Sequence, residues 1–393
     1  MLNQSTSLQV PFLNFTTLSF AAPLLSSGRM QADNNNFAMF YPWNGPSQVV
    51  ERITAAVTAQ GVILPLTAPS PNSSWHLEFW GPSLKCENVD DARRQRIGSN
   101  IAEYYSQDGT CNTGRDIYLS WFQDPPYTLR NGTDYGISQS DLSSEAGSNA
   151  TITIAVFPGM LSRNATCDIF SPETSSMGTN QSSTNSTDPL GNVGEGSSMI
   201  QCKLFNSTYE ADFVYLDGEQ SIAVNAPVKS SDEPLTAFDW VGQLYSSDNT
   251  LSECFGFNMY NATYLSLPEP CDFDPAILRV IAYQAVMDAF TSVLRGTVTD
   301  SDVSGIVRNG SILSTTLVDT KELAFLNDQT TGYLSGGDKD GPDLGSALAK
   351  LGKMDVSGLP QADRPASNRS LSDALEEMFR NLTISLMSSD LLR

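Results

Sequence analysis

The sequence has little histidine and few basic residues. It contains one His, at position 76, and 22 Lys and Arg against 44 Asp and Glu in 393 residues. The formal charge of −22 excludes a general nucleic-acid binder, because affinity for phosphate depends on clustered Lys and Arg. It also disfavours binding to an anionic membrane surface. A single histidine excludes a His-Glu-x-x-His metal motif and any other two-histidine site.

Other signatures are also missing from the chain. The sequence has no Gly-x-Ser-x-Gly elbow, no P-loop and no dinucleotide-binding glycine pattern. It has no uninterrupted apolar run near the roughly 18 residues of a membrane span, and no convincing export signal, since the first basic residue is Arg29. If the chain is exported, we therefore expect an excised ectodomain or the product of a partial gene.

The overall composition is typical of a folded protein. At 40% hydrophobic and 17% charged residues, the chain has enough apolar content to bury a core, unlike a disordered acidic chain. The length suits one large domain or two medium ones.

Asn-x-Ser/Thr sequons are the most informative feature. The sequence holds 13 of them, where about five would arise by chance, and each is a candidate N-glycan acceptor on a lumenal or extracellular chain. Serine- and asparagine-rich loops explain some of the excess, but several sequons lie beside apolar, structured-looking segments. The candidate acceptors are Asn3, Asn14, Asn72, Asn131, Asn149, Asn164, Asn180, Asn185, Asn206, Asn261, Asn309, Asn368 and Asn381.

Cysteine usage also favours an oxidising compartment. The six cysteines are widely spaced and include no Cys-x-x-Cys pair, so metal and redox motifs are disfavoured and three disulfides are expected. Six cysteines allow fifteen pairings, which sequence alone does not resolve. The simplest scheme joins them in sequential order: Cys86 to Cys111, Cys167 to Cys202, and Cys254 to Cys271.

Periodicity predicts a mixture of helices and strands. Ser47 opens a helix that Gly61 ends, Asp274 and Pro275 open another that Gly296 ends, and Ser370 caps a last one. Strands are predicted from Trp75, Leu77 and Phe79, which alternate with more polar neighbours, and from several β-branched or aromatic runs. These runs are 117–122, 151–157, 254–267, and the arms of a hairpin, 201–215 and 221–228, that turns at 217–219.

The order of these elements predicts an α+β fold, an antiparallel β-rich domain with several packed amphipathic helices. Residues 1–44 are predicted to be an irregular lead-in and residues 45–334 the core. Within the core, 171–199 reads as a Ser/Thr/Asn-rich disordered loop. Residues 335–369 read as a flexible connector and 370–393 as the C-terminal helix.

The search for chemistry leaves weak candidates. A Ser-His-Asp arrangement on His76 is formally possible, although a histidine in mid-strand more often only faces solvent. Paired carboxylates would suffice for glycoside hydrolysis, but 44 acids nominate no pair. The tryptophans could stack on sugar rings, and Trp80 is expected to point away from the face that Trp75 occupies. No catalytic residue, cofactor or metal ligand is therefore nominated.

Five stretches of the chain resemble the ectodomain of a fungal family of multi-pass membrane proteins. They are 61–66, 71–74, 79–87, 201–209 and 375–386, and the likeness extends from about Gly45 to the C-terminus. In that family, membrane spans precede and follow the ectodomain, so the resemblance implies an extracellular or lumenal location. Some members are labelled formylmethionine deformylase-like, but that chemistry needs two metal-binding histidines.

The sequence thus predicts a non-enzymatic, N-glycosylated, disulfide-stabilised extracellular domain of a fungal membrane protein, acting in cell-surface or wall contact or in sensing. Its expected partners are cell-wall glycans or other surface proteins, with a membrane reached only through flanking spans. The alternatives are a secreted carbohydrate-active hydrolase with paired carboxylates and a sugar-binding module.

Overall fold

The computed structural model of the chain describes residues 10–21, 29–32, 35–38, 45–91, 94, 115–122, 151–157, 198–228, 232–235, 275–301, 305–326 and 368–392. The strand predicted at 254–267 and most of the connector lie outside these residues. So does the predicted loop 171–199, except for its last two residues, which begin a strand.

The fold is α+β, as predicted, and centres on a seven-stranded antiparallel sheet. A separate two-stranded ladder, β1 (Arg29–Ala32) with β2 (Asn35–Ala38), lies in the segment predicted to be irregular. The strands of the large sheet are β3 (Ser73–Asn88), β4 (Arg115–Phe122), β5 (Thr151–Val156), β6 (Ser198–Leu216), β7 (Glu219–Asn225), β8 (Gly296–Ser301) and β9 (Gly305–Gly310).

Within the described ranges, three α-helices accompany the sheet: α1 (Gln48–Gln60), α2 (Pro275–Leu294) and α3 (Leu371–Ser385). The predicted caps of α1 are confirmed, because the Ser47 side chain accepts a bond from the Val50 N–H and Gly61 adopts a left-handed conformation. The Ser370 cap of α3 is confirmed in the same way by its bond from the Asp373 N–H.

Helix α2 is buried more completely in its middle than its amphipathic pattern predicts. Every residue from 281 to 287 is buried, including Gln284, whose Nε2 donates to Asp288 Oδ1 at 2.7 Å. Arg279 and Ser292 are exposed towards the two ends of the helix, as the pattern predicts, whereas in its buried middle the side chains of Gln284 and Asp288 pair because one turn of helix brings them together.

Strand β6 connects the two parts of the sheet. From residue 200 to residue 215 it pairs with β3 on one side, with Ser73 opposite Tyr215 and Asn88 opposite Ile200. On its other side it pairs first with β5 and then with β7. The hairpin from β6 to β7 turns at Asp217 and Gly218, within the predicted turn. Both residues have positive φ, as a two-residue hairpin turn requires.

We call the three-stranded extension formed by residues 73–80, 208–216 and 219–225 the ribbon. Its inner face carries stacked aromatic rings. The ring centroids of Trp75 and Phe213 are 4.8 Å apart, and those of Phe79 and Tyr209 are 5.1 Å apart. The segment that follows α1 is bonded to the ribbon through Gln220, which contacts the backbone of Leu64 and Leu66. The inner face is therefore packed, and the opposite face of the ribbon is the exposed one.

The hydrophobic core joins both ends of the described chain. Phe15 and Phe20, from the predicted lead-in, are buried in the same cluster as Leu375 and Leu392. The backbone N–H of Asn14 donates to the carbonyl of Leu392 at 3.3 Å. The segments predicted as an irregular lead-in and a separate C-terminal helix thus both contribute to the core.

Candidate functional site

The exposed face of the ribbon is the best-formed candidate surface among the described residues. Alternation along each strand sends every second side chain to this face, and the register places these side chains in rungs. We call it the outer face. It consists of Ser74, His76, Glu78, Trp80, Thr208, Glu210, Asp212, Val214, Leu216, Glu219, Ser221, Ala223 and Asn225.

Trp80 is the largest exposed apolar side chain of the outer face, with 56% of its surface accessible. It lies directly opposite Thr208 in the β3–β6 ladder. Sequence alternation predicted this outward direction. A flat indole beside a hydroxyl can stack on an apolar ring face and leave polar groups free for hydrogen bonds.

The other described tryptophans are structural. Trp75 stacks on Phe213 and Tyr215 on the inner face of the ribbon, and Trp121 is buried in the core. Trp43 and Trp240 lie outside the described residues.

Acidic side chains surround the only histidine of the chain. His76 lies in mid-strand, as predicted, and its Nδ1 is 2.8 Å from Asp212 Oδ1, with both side chains more than half exposed. Glu78 lies directly opposite Glu210, whose Oε2 accepts a bond from Asn225 Nδ2. Two like charges on one rung give this part of the outer face a negative potential.

Two arrangements considered from the sequence, a Ser-His-Asp set on His76 and paired carboxylates, can be compared with the outer face. His76 and Asp212 resemble two members of a hydrolytic triad, but no described serine, threonine or cysteine bonds to the histidine ring. Glu78 and Glu210 lie on an open sheet face rather than in a cleft. The described residues contain no group of three or more potential metal ligands.

The disulfide in the structure contradicts the sequential pairing. Cys86 bonds to Cys202, a separation of 116 residues, and both residues are buried. They are direct partners in the β3–β6 ladder, with Cα atoms 4.0 Å apart, so the register selects this pair over Cys86 with Cys111 or Cys167 with Cys202. The remaining cysteines, Cys111, Cys167, Cys254 and Cys271, lie outside the described residues.

Charged side chains surround this disulfide. Glu376 of α3 accepts the backbone N–H of Cys86 at 2.8 Å and pairs with Lys85 at 3.0 Å. Glu87 pairs with Lys203 at 2.9 Å, and the bond from the Lys203 ammonium lowers the pKa of the Glu87 carboxyl. No local pattern in the sequence predicts either contact, because both join residues far apart in the chain.

Two sequon asparagines are exposed on the described surface, Asn72 and Asn368. Asn72 precedes β3, and its Oδ1 accepts the backbone N–H of Asp217 at 2.9 Å. Its amide nitrogen, the atom that would carry a glycan, has no partner among the described residues. A glycan at Asn72 would therefore disturb no hydrogen bond.

Two further sequon asparagines are half-buried. The Oδ1 of Asn14 accepts both the N–H and the O–H of Thr16, the third residue of its own sequon. The Oδ1 of Asn206 accepts the O–H of Tyr283 at 3.0 Å. In both residues the side-chain oxygen accepts hydrogen bonds, and the side-chain nitrogen donates none to the described residues.

Asn381 lies buried where α3 meets the end of α1. The residue is 9% exposed, and its Nδ2 donates to the carbonyl of Gly61 at 3.1 Å. Thr383, the third residue of the sequon, is fully buried and donates to Phe379. A sugar on this nitrogen would break the contact between α3 and the end of α1.

The other sequons are less defined. Asn309 lies in β9 opposite Thr297. Seven lie outside the described residues: Asn3, Asn131, Asn149, Asn164, Asn180, Asn185 and Asn261.

Comparisons with known proteins returned no match to a family model, to a curated protein or to a solved structure. Within the described residues, no helix combines the length and the hydropathy that a membrane crossing requires.

Proposed function

We propose that this chain is a non-enzymatic, N-glycosylated, disulfide-stabilised domain of the extracellular or lumenal side of a fungal membrane protein, with a role in surface contact or sensing. The observation that carries the proposal is the Cys86–Cys202 disulfide, buried in the β3–β6 ladder. Structural disulfides of this kind belong to oxidising compartments. The sequon excess supports the same compartment, and the fungal assignment rests on the sequence resemblance alone.

The test is production in a eukaryotic secretory host followed by peptide mass spectrometry. We expect a linked Cys86–Cys202 peptide without reduction and glycans on several asparagines, including the exposed Asn72 and Asn368. A protein with free thiols at both cysteines, or with every asparagine bare, would contradict the proposal.

A second candidate function is carbohydrate contact through the outer face, favoured by the exposure of Trp80 beside Thr208. An exposed aromatic ring with neighbouring hydroxyl and carboxylate groups provides both stacking and acceptors for sugar hydroxyls. If this is correct, Trp80→Ala lowers retention of deglycosylated protein on polysaccharide resins at least tenfold. Val214→Ala, a change of an apolar side chain on the same face, serves as the control. Retention that does not depend on Trp80 would exclude this function.

A further inference from the structure

Trp80 and the sequon at Asn206 lie on the same face of the sheet. The register places Trp80 opposite Thr208 and Pro82 opposite Asn206, and residues opposite each other point to the same side. Trp80 and Asn206 are therefore diagonal neighbours, with Cα atoms about 7–8 Å apart, a distance that aromatic and long side chains bridge. The intervening residue, Ser207, is buried and belongs to the opposite face.

The amide of Asn206 is held in one orientation. Its Oδ1 accepts the O–H of Tyr283 from α2 at 3.0 Å. Its Nδ2 has no hydrogen-bond partner among the described residues, and the residue as a whole is partly exposed. This is the atom that an N-linked glycan modifies.

We infer that Asn206 carries an N-linked glycan and that the first sugar of this glycan packs on the ring of Trp80. The inference rests on the proposed function, since it requires a compartment that glycosylates asparagine. It identifies the carbohydrate next to Trp80 as part of the chain itself.

The modification is a transfer from a lipid-diphosphate-linked oligosaccharide. The bond between sugar C1 and the diphosphate oxygen breaks, and a bond between C1 and Asn206 Nδ2 forms. The amide nitrogen loses one proton to a base of the transferase, and the lipid diphosphate leaves with the electron pair of the broken bond. No redox change occurs. Transfer to the unfolded chain needs no access to the folded sheet, and a nitrogen without a hydrogen-bond partner allows the folded sheet to retain the glycan.

Attachment favours this sugar over any free one. A glycan joined to Asn206 is confined near Trp80, and tethering of this kind gives effective concentrations of about millimolar or higher. A free polysaccharide would have to displace it. The 56% exposure of Trp80 is thus the surface that the glycan covers.

The experiment combines occupancy with a double-mutant cycle in protein from a secretory host. Thr208→Val removes the sequon while it retains Asn206 and its bond from Tyr283, and Trp80→Ala removes the ring. We expect peptide mass spectrometry to find Asn206 occupied. Trp80→Ala should raise the unfolding equilibrium constant about fivefold in the glycosylated protein and less than about twofold in the Thr208→Val background, a coupling of the size measured between pairs of aromatic side chains.

A matched control uses a distant sequon. Ser74→Ala removes the sequon at Asn72, which lies about 26 Å from Trp80 along β3, so it should leave the effect of Trp80→Ala unchanged. If Thr208→Val fails to fold, enzymatic trimming of every glycan to its first sugar, compared with complete removal, tests the same contact.

The outcomes separate the inference from the proposed function. A bare Asn206 alongside occupied Asn72 and Asn368 overturns the inference and leaves the proposed function standing. If no asparagine is modified, both fall. An occupied Asn206 with the same Trp80→Ala effect in both backgrounds overturns the packing. So does binding of free polysaccharide through Trp80 by the fully glycosylated protein, because the ring would then be open.

Discussion

Cys86 and Cys202 lie directly opposite each other in the β3–β6 ladder and are joined by a disulfide. The bond joins the edge strand β3 to β6, the strand that pairs with β3, β5 and β7. It therefore fixes the register of the longest strand pair in the protein.

Removal of this disulfide should lower stability. We expect the double variant Cys86→Ala, Cys202→Ala to lose about 2–5 kcal/mol of unfolding free energy, because the bond closes a loop of 116 residues in the unfolded chain. Chemical denaturation of the oxidised proteins measures this loss. A non-reducing peptide map that links Cys86 to Cys111 instead would contradict the register.

The same bond limits the pairing of the other cysteines. If all six are oxidised, Cys111, Cys167, Cys254 and Cys271 must pair among themselves, which leaves three of the fifteen schemes. The expected map therefore contains Cys254–Cys271, Cys167–Cys271 or Cys167–Cys254. Any peptide that joins one of these four to Cys86 or Cys202 would be inconsistent with the structure.

Asn381 should act as a packing residue and remain unmodified. Asn381→Ala leaves the Gly61 carbonyl without its partner, and we expect a loss of about 1–3 kcal/mol. Asn368→Ala changes an exposed asparagine and should cost less than about 0.5 kcal/mol. Thermal denaturation compares the two, and a glycan found at Asn381 in folded protein would show that this interface is open.

Gly61 should tolerate no side chain. It has φ +73°, and an added Cβ would lie 2.7 Å from Thr316 Oγ1, so Gly61→Ala should cost about 2–4 kcal/mol. Gly218 has φ +85° and open space around it, so Gly218→Ala isolates the backbone cost of about 1 kcal/mol. The added variant Thr316→Ala should recover part of the Gly61→Ala loss. If Thr316→Ala recovers none of the lost stability, Thr316 is not the residue that the added Cβ meets.

Stability should fall at alkaline pH because of buried tyrosines. Burial raises the pKa of Tyr118, whose O–H donates to the Leu294 carbonyl at 2.7 Å. Its contribution is complete below the unfolded-state pKa of about 10 and is lost as the pH rises from there toward the folded-state value. We expect Tyr118→Phe to be less stable at neutral pH, by about 1 kcal/mol, and less sensitive to alkali. Denaturation at a series of pH values measures both effects, and equal alkaline slopes would contradict this assignment.

Local signals in the sequence predicted the parts of the fold that local physics decides. Ser47 and Gly61 delimit α1 because capping is determined by neighbouring backbone groups. Trp75, Leu77 and Phe79 reveal β3 because one of its faces is packed and the other is exposed. The Asp217-Gly218 turn accommodates positive φ in two successive residues.

Contacts between distant residues could not be predicted. Strand β3 continues through Gly81 and Pro82, which usually interrupt strands, because it is an edge strand and needs no outward N–H at the proline. The disulfide partner of Cys86 depends on a register that only the folded sheet defines. The sequence around Phe15 and Phe20 has no local periodicity and predicts an irregular lead-in. Their burial depends on packing partners in distant helices.

Strand β6 passes without interruption from the body of the sheet into the ribbon, over 19 residues or about 60 Å. The ribbon consequently has no hinge at this strand. A force applied to the tip of the ribbon is transmitted along β6 to the core. Mechanical load applied to the outer face would reach the disulfide through covalent backbone, so ribbon and body should yield together in one cooperative event.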